Sequence, residues 1–394
     1  MDLRHLIAAV SAVLALTACQ TTPPESIVAA AGEPVVLAPI EVTSAPVPPL
    51  EVAPPADLWQ RVRTQLTWQE LEHDAIAVAR RNFLRQTNYL PVIAERADFY
   101  LHHIVESVEA RGLPIELALL PLVESSLNPF AYSSSRAAGL WQIMPATGRH
   151  LGLEQDWWYD GRRDLRDSTR VALDYLEELH AQFEGDWMLA LAAYNAGKGR
   201  VARAQRKNAA RGKATDYWSL PLPRETRNYV PKLLALTQII AEPDRYGVTI
   251  PAVPNKPAFE VADTGGQLEL LRAAELAGIE LTTLRAYNPG QLRWATAPDM
   301  PPEILLPVGL KTLFEDGVAQ LTEADRVRWN HYRIERGDSL IRIAKRFDTQ
   351  VGLLKEVNGL RGSRIRAGDT LMIPNGNGWA ESLALAGAAP AEPR

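Results

Sequence analysis

Two proline-rich stretches bound what this chain can fold into. Thr21 to Ala56 carries Pro23-Pro24, Pro48-Pro49 and Pro54-Pro55, and Pro251, Pro254 and Pro257 punctuate a second stretch. Proline fixes φ and removes a backbone donor, so neither stretch can run on as helix or lie inside a sheet. The first stretch has no apolar period that would bury a face and reads as an extended tether. At about 3.1 Å per residue it would reach on the order of 100 Å. Between the two stretches the pattern is helical. Leu58, Val62, Leu66 and Leu71 recur at near-helical spacing with charges between them. Tyr100 to Ala110 and Ile115 to Val123 continue the pattern. Ser168 to Glu184 alternates Val171, Leu173, Leu176 and Leu179 with acidic residues, and Asp167 or Ser168 is the expected N-cap. Trp187 to Ala196 is almost wholly apolar, which predicts a helix buried on most sides. Val230 to Ala241 closes the run, with Pro231 expected in a first turn. Residues 57–247 are therefore expected to form an all-helical domain.

The ends carry a different message. Arg4 precedes an apolar run from Leu6 to Leu16, followed by Leu16-Thr17-Ala18-Cys19. A basic start, a short apolar core and small residues before a cut site read as a secretory signal over residues 1–18. The run is too short for a mature membrane span, which needs about 20 apolar residues. Cys19 is the only cysteine, so the chain cannot form an internal disulfide. The Leu-Thr-Ala-Cys phrase resembles the bacterial lipobox. That resemblance implies lipidation at Cys19, with residues 19–56 as a lipidated N-terminus and tether. Gln20 stands where an aspartate commonly retains lipoproteins in the inner membrane, so the resemblance implies an outer-membrane lipoprotein facing the periplasm. The net charge of −5 lacks the basic footprint of a nucleic-acid binder.

Past Pro257 two short units follow. In the second, His331 to Ile334 reads as a strand, Gly337-Asp338-Ser339 as a turn and N-cap, and Leu340 to Phe347 and Val351 to Val357 as helices. Asn358-Gly359 breaks the chain, and Gly368 to Pro374 turns into a last strand. This β-α-α-β order with these phrases resembles a LysM module over residues 329–375, a binder of N-acetylglucosamine-containing glycans. The resemblance implies a sugar-binding role for Gly337, Asp338, Ser339, Leu340 and Asn358. The unit at 258–310 echoes the order, with Phe259-Glu260-Val261, Leu268 to Ala277, Leu281 to Tyr287, the breaker Asn288-Pro289-Gly290 and Ile304 to Pro307. It has Asp263-Thr264-Gly265-Gly266 in place of the Gly-Asp-Ser turn, so it reads as a degenerate repeat, either sugar-binding or a structural spacer. The Gly- and Ala-rich residues 376–394 are expected to be a mobile tail.

Chemistry concentrates in three phrases of the helical domain. The run Ala118 to Val123 is apolar except for Pro121 and delivers Glu124 directly before Ser125-Ser126-Leu127-Asn128-Pro129. Burial against apolar groups raises a carboxyl pKa, which suits a proton donor. Ser125 and Ser126 are placed to orient Glu124. The second phrase is Gly139-Leu140-Trp141-Gln142-Ile143-Met144-Pro145, and the third is Ala193-Tyr194-Asn195-Ala196-Gly197. In that order and spacing they resemble the lysozyme-like catalytic domain of lytic transglycosylases. The likeness runs from about Leu117 to Leu233 and includes Glu225-Thr226-Arg227-Asn228-Tyr229.

The resemblance implies a single general acid and base, Glu124. It would cleave the β-1,4 bond between N-acetylmuramic acid and N-acetylglucosamine without water, leaving 1,6-anhydromuramyl ends. It implies supporting roles for Ser133, Gln142, Met144, Tyr194, Asn195 and Tyr229 around the substrate, with Tyr229 hydrogen-bonded to the glutamate. Met144 suits core or cleft wall equally. Trp141, Trp157, Trp158 and Trp187 could stack on sugars, though core packing is the commoner use. Most glycosidases use two carboxylates. Asp156, Asp160 and Asp164 are the remaining acids nearby, and loop and cap chemistry accounts for them more simply. A hydrolytic muramidase and a non-catalytic peptidoglycan scaffold remain as alternatives. The expected partner is the peptidoglycan glycan strand, with the outer membrane engaged through Cys19. The seven histidines form no His-Glu-x-x-His phrase and no glycine-rich nucleotide loop is present, so no metal, cofactor or nucleic acid is expected.

Overall fold

The computed structural model describes residues 55–327, 329–347 and 349–374. The expected signal, Cys19, almost all of the tether and the tail at 376–394 lie outside the described residues. Among the described residues the fold is mainly helical, with two small two-stranded sheets in the C-terminal part.

The helical domain is built around Trp187–Ala196, whose Leu189 to Ala193 are all buried. Asp186 caps it by accepting the Leu189 N–H at 3.0 Å. Tyr89–Glu109 packs on Leu165–Gln182, which with Arg224–Ala241 packs directly on the central helix. The first of these reaches a full 21 residues, well beyond the Tyr100 to Ala110 span that the sequence pattern marked. Leu165–Gln182 starts three residues before the expected Ser168. Asp164, not Asp167 or Ser168, is its cap, with extended backbone and its carboxylate accepting the Asp167 N–H at 2.8 Å. Burial explains the shift, because Leu165 is already core and belongs to the helix's apolar stripe.

Pro231 lies in the interior of Arg224–Ala241, not in a first turn. A proline there leaves the carbonyl four residues back without its N–H donor. That carbonyl belongs to Arg227, and the buried Tyr217 hydroxyl sits 3.0 Å from it and 3.0 Å from the Thr226 carbonyl. The tyrosine offsets the missing backbone bond, and the helix continues.

The proline stretch after the helical domain is tied down and is not a free linker. Leu58 N–H donates to Val253 O at 2.8 Å, the Trp59 indole to Pro251 O at 3.1 Å, and Asn255 N–H to Ala56 O at 2.9 Å.

Both C-terminal units have the expected β-α-α-β order. Phe259–Asp263 pairs antiparallel with Glu303–Pro307, and Trp329–Arg333 with Thr370–Pro374. The first unit continues past residue 310. Lys311–Ala319 packs on Leu270–Ala277 and on the first strand, and brings Phe314 and Val318 into the same core. The repeat is legible in one shared device. Asn288 donates to Leu284 O and Leu305 O and accepts from Leu305 N–H, each at 2.8 Å. Asn358 does the same with Leu354 O, Met372 O and Met372 N–H at 2.8, 2.9 and 2.7 Å. In each unit one asparagine pins the second helix to the last strand.

Candidate active site

Glu124 occupies the last turn of Leu120–Ser125, a short helix that follows the 3₁₀ turn Ile115–Leu119. The chain then reverses through Ser126 and Leu127, both left-handed at φ 52 and 54. Such backbone is costly for non-glycine residues and persists only where surroundings hold it. Here Leu127 is buried, its N–H reaches Pro121 O at 3.1 Å, and Arg96 donates to Ser126 O at 2.9 Å.

The Tyr229 hydroxyl donates to Glu124 Oε1 at 2.6 Å. Glu124 keeps part of its side chain open to solvent, yet its carboxyl is enclosed enough that burial pushes its pKa up to about 7. The Tyr229 hydrogen bond and the Lys232 charge oppose that rise, while the Glu225 charge adds to it. Tyr194 is near enough that the Glu124 charge, after burial, helps hold its own hydroxyl protonated.

The second phrase lies beside the glutamate helix, as a candidate wall of the cleft. Gly139 is required: at φ +80, a Cβ would lie 2.0 Å from the Arg162 carbonyl oxygen. Gln142 is left-handed at φ 47, and its amide donates to Gly139 O at 2.9 Å and Ala131 O at 3.3 Å. The Tyr194 hydroxyl donates to Trp141 O at 2.8 Å, and Ser125 Oγ donates to Leu140 O at 2.9 Å. Ser125 therefore does not orient the Glu124 carboxylate, as its sequence position had suggested. It fastens the glutamate helix to the wall. Ser133 Oγ accepts the Ala137 N–H at 2.9 Å and shapes the loop before the wall. Met144 is exposed and so is not core. Asn195 is half-buried, and among the described residues its amide makes no hydrogen bond.

The tryptophans divide as core packing would have them. Trp141 is fully buried, with its indole donating to Thr169 Oγ1 at 3.0 Å. Trp157 and Trp158 cluster with Trp294 of the first C-terminal unit. Trp187 is covered by His180, stacked at 3.9 Å. The three aspartates are structural. Asp156 accepts from Trp158 and Tyr159 N–H, Asp160 pairs with Arg162, and Asp164 caps a helix.

In the C-terminal unit the five expected residues also hold the fold. Asp338 accepts from Tyr332 Oη at 2.7 Å and Glu335 N–H at 2.8 Å, and Ser339 caps Leu340–Arg346. Leu340 is core, Gly337 takes φ +95, and the Asn358 amide is engaged as described. Among the described residues no cluster of ligating side chains could hold a metal ion.

Comparison with known proteins follows these divisions. The family described as transglycosylase SLT domain matches residues 105–217, the lytic transglycosylase MltD LysM-like domain matches 258–322, and the LysM domain matches 332–374. Membrane-bound lytic murein transglycosylase D of Escherichia coli strain K12 is 38% identical over 336 residues, which cover 83% of this chain and 74% of that protein. The chain belongs to the membrane-bound lytic murein transglycosylase D family. The soluble lytic murein transglycosylase of the same strain is 36% identical over 117 residues, 28% of this chain and 18% of that protein. A solved inactive mutant of the lytic transglycosylase Slt from Pseudomonas aeruginosa is 25% identical, with a TM-score of 0.32 over 49% of this chain and 33% of that one.

Two features of this transglycosylase-family site were not assigned a role from the sequence. Glu225 and Lys232, both exposed, flank Tyr229 at i−4 and i+3 on one helix. Helical spacing would have found them once Tyr229 was chosen. Arg162, which bonds the wall from behind, sits in a loop with no period to expose it.

Proposed function

We propose that Glu124 is the single acid and base of a non-hydrolytic cleavage of peptidoglycan glycan strands. The observation that carries this is a carboxyl held near neutral pKa and bonded to Tyr229, with each neighbouring aspartate committed elsewhere. A group that must give and then take a proton works best when its pKa lies near the working pH.

Protonated Glu124 gives its proton to the oxygen linking C1 of N-acetylmuramic acid to C4 of N-acetylglucosamine, and the C1–O bond breaks. The resulting Glu124 carboxylate takes the proton from the muramyl C6 hydroxyl as O6 bonds to C1. The 1,6-anhydro ring closes, Glu124 is protonated again, and no water is consumed. An internal nucleophile already in place makes a water-activating base unnecessary. Tyr229 steadies the carboxylate between the two steps. Gln142 and Met144 line the cleft, Ser133 supports the reacting sugar, and Asn195 offers its amide to an acetamido group beside Tyr194.

The LysM unit at 329–375 retains the enzyme on the wall, and a lipid on Cys19 anchors it to the outer membrane on the periplasmic side. The chain is similar to a protein named as membrane-bound, and no helix among the described residues is long and apolar enough to cross a membrane.

Mass spectrometry of muropeptides released from purified sacculi tests the proposal. Products one water lighter than hydrolysed ends, absent with Glu124→Gln, are expected. Full-mass reducing ends would make the protein a muramidase. No release by the native chain would make it a scaffold.

A further inference from the structure

The first C-terminal unit is fastened to the loop that backs the cleft wall. Asp160 N–H donates to Gly290 O at 2.9 Å, Leu292 N–H to Trp158 O at 2.8 Å, and Arg293 Nε to Trp157 O at 2.9 Å. The Tyr100 hydroxyl adds a bond to Ala286 O at 2.8 Å, and Arg166 pairs with Glu303 at 2.7 Å. The fit is close at Gly290, where a Cβ would lie 2.9 Å from the Tyr159 ring.

The same loop grips the wall from its other side. Arg162 is 6% exposed. Its Nε and one terminal nitrogen take the two Asp160 oxygens, both at 2.8 Å. The other terminal nitrogen reaches Arg136 O at 2.7 Å and Ile143 O at 3.3 Å, while its own carbonyl lies against Gly139. Asp160 is thus bonded to the C-terminal unit through its backbone and to the wall through its side chain, with Arg162 as the link.

We propose that Arg162 is a positioning residue through which the docked unit holds the Gly139–Met144 wall against the glutamate helix. The unit then serves as a brace of the catalytic domain. This rests on the reading of Gln142 and Met144 as cleft wall. The wall needs a brace because Gln142 is left-handed, a conformation that relaxes unless its neighbours prevent it. Only a planar fork can serve Asp160 and two carbonyls at once, so lysine is no substitute.

The test compares Arg162→Lys and Gly290→Ala in the full chain. It reads kcat and KM on soluble glycan strands, amide hydrogen exchange at Ala138 and Ile143, and thermal unfolding. Arg162→Lys is expected to lose about tenfold or more in kcat/KM, mostly in kcat. Exchange at Ala138 and Ile143 should quicken, while the alkaline limb of the pH profile stays put because Arg162 does not touch Glu124. Gly290→Ala, on the unit's side of the joint, should give the same pattern in weaker form. A folded Arg162→Lys chain with kcat/KM within twofold of native overturns the proposal. So does a Gly290→Ala chain that loosens the Asp160 amide yet keeps native kcat/KM. If Arg162→Lys does not fold, Gly290→Ala decides alone. Exchange at the wall is read without turnover, so an active Glu124→Gln chain would remove the catalytic reading and leave this link standing or falling by itself.

Discussion

The Tyr229 hydroxyl donates to Glu124 Oε1 at 2.6 Å across 105 positions of sequence. The bond favours the ionised carboxylate and so works against the burial that lifts the Glu124 pKa to about 7. Tyr229→Phe should therefore move the alkaline limb of the kcat/KM profile to higher pH while lowering the maximum. The pH dependence of strand cleavage by the variant checks this. A limb that moves down, or stays, would mean the tyrosine does not stabilise the ionised form.

The raised pKa also has a stability consequence. Between the ordinary carboxyl value of 4.5 and about 7, the unfolded chain has released the Glu124 proton and the folded chain still holds it. The native state binds more protons in that window, so stability falls as pH rises through it, by on the order of 3 kcal/mol in all. Glu124→Gln removes this dependence. Its stability gain over the native chain, measured by urea unfolding, should be larger at pH 8 than at pH 4. An equal gain at both would show that the carboxyl is not desolvated in the fold.

Asn195 carries no internal hydrogen bond among the described residues, so losing its amide should cost the fold little. Asn195→Ala is expected to leave the unfolding midpoint within about 0.5 kcal/mol of native. Cleavage should fall by about tenfold, as when a site's polar contact to substrate is lost. A large loss of stability with unchanged KM and kcat would make Asn195 a structural cap.

The paired asparagines of the two C-terminal units separate bracing from sugar binding. Asn288 is buried, and Asn288→Ala leaves the N–H and carbonyl of Leu305 unpaired, at about 1–3 kcal/mol for each buried group, while Leu284 O keeps the residue-288 backbone N–H. Asn358→Ala breaks the same three bonds at a more exposed place and should destabilise its unit less. If the Asn358 amide is a brace, sacculus binding by Asn358→Ala should fall only as far as the unit unfolds. Binding that vanishes in a fully folded unit would restore a direct sugar contact.

Much of the helical domain was legible because helix formation reports itself locally. Trp187–Ala196 was found to the residue, since an apolar run of that length has few other places to go. The errors fell where one local rule met a distant partner. Pro231 read as a first-turn residue because nothing near it reveals that Tyr217 supplies the missing donor. Asp167 and Ser168 read as caps because both are good capping residues, and only the burial of Leu165 moves the start back to Asp164. Ser125 read as a partner of Glu124 by adjacency, whereas its hydroxyl reaches Leu140 O, 15 residues on.

The sequence by itself determined the helical period, the two β-α-α-β units with their asparagine breaks, and a lone glutamate delivered by an apolar run into a turn. Each of these depends on spacings of a few residues, which the chain order carries directly. The tertiary structure decided the rest: how far Glu124 is desolvated, which aspartates are already committed, and that the first C-terminal unit is docked on the loop of Trp157, Trp158 and Asp160. Desolvation is a sum over neighbours drawn from distant segments. A salt bridge between residues 160 and 162 acquires its meaning only from Gly290 on one side and Ile143 on the other.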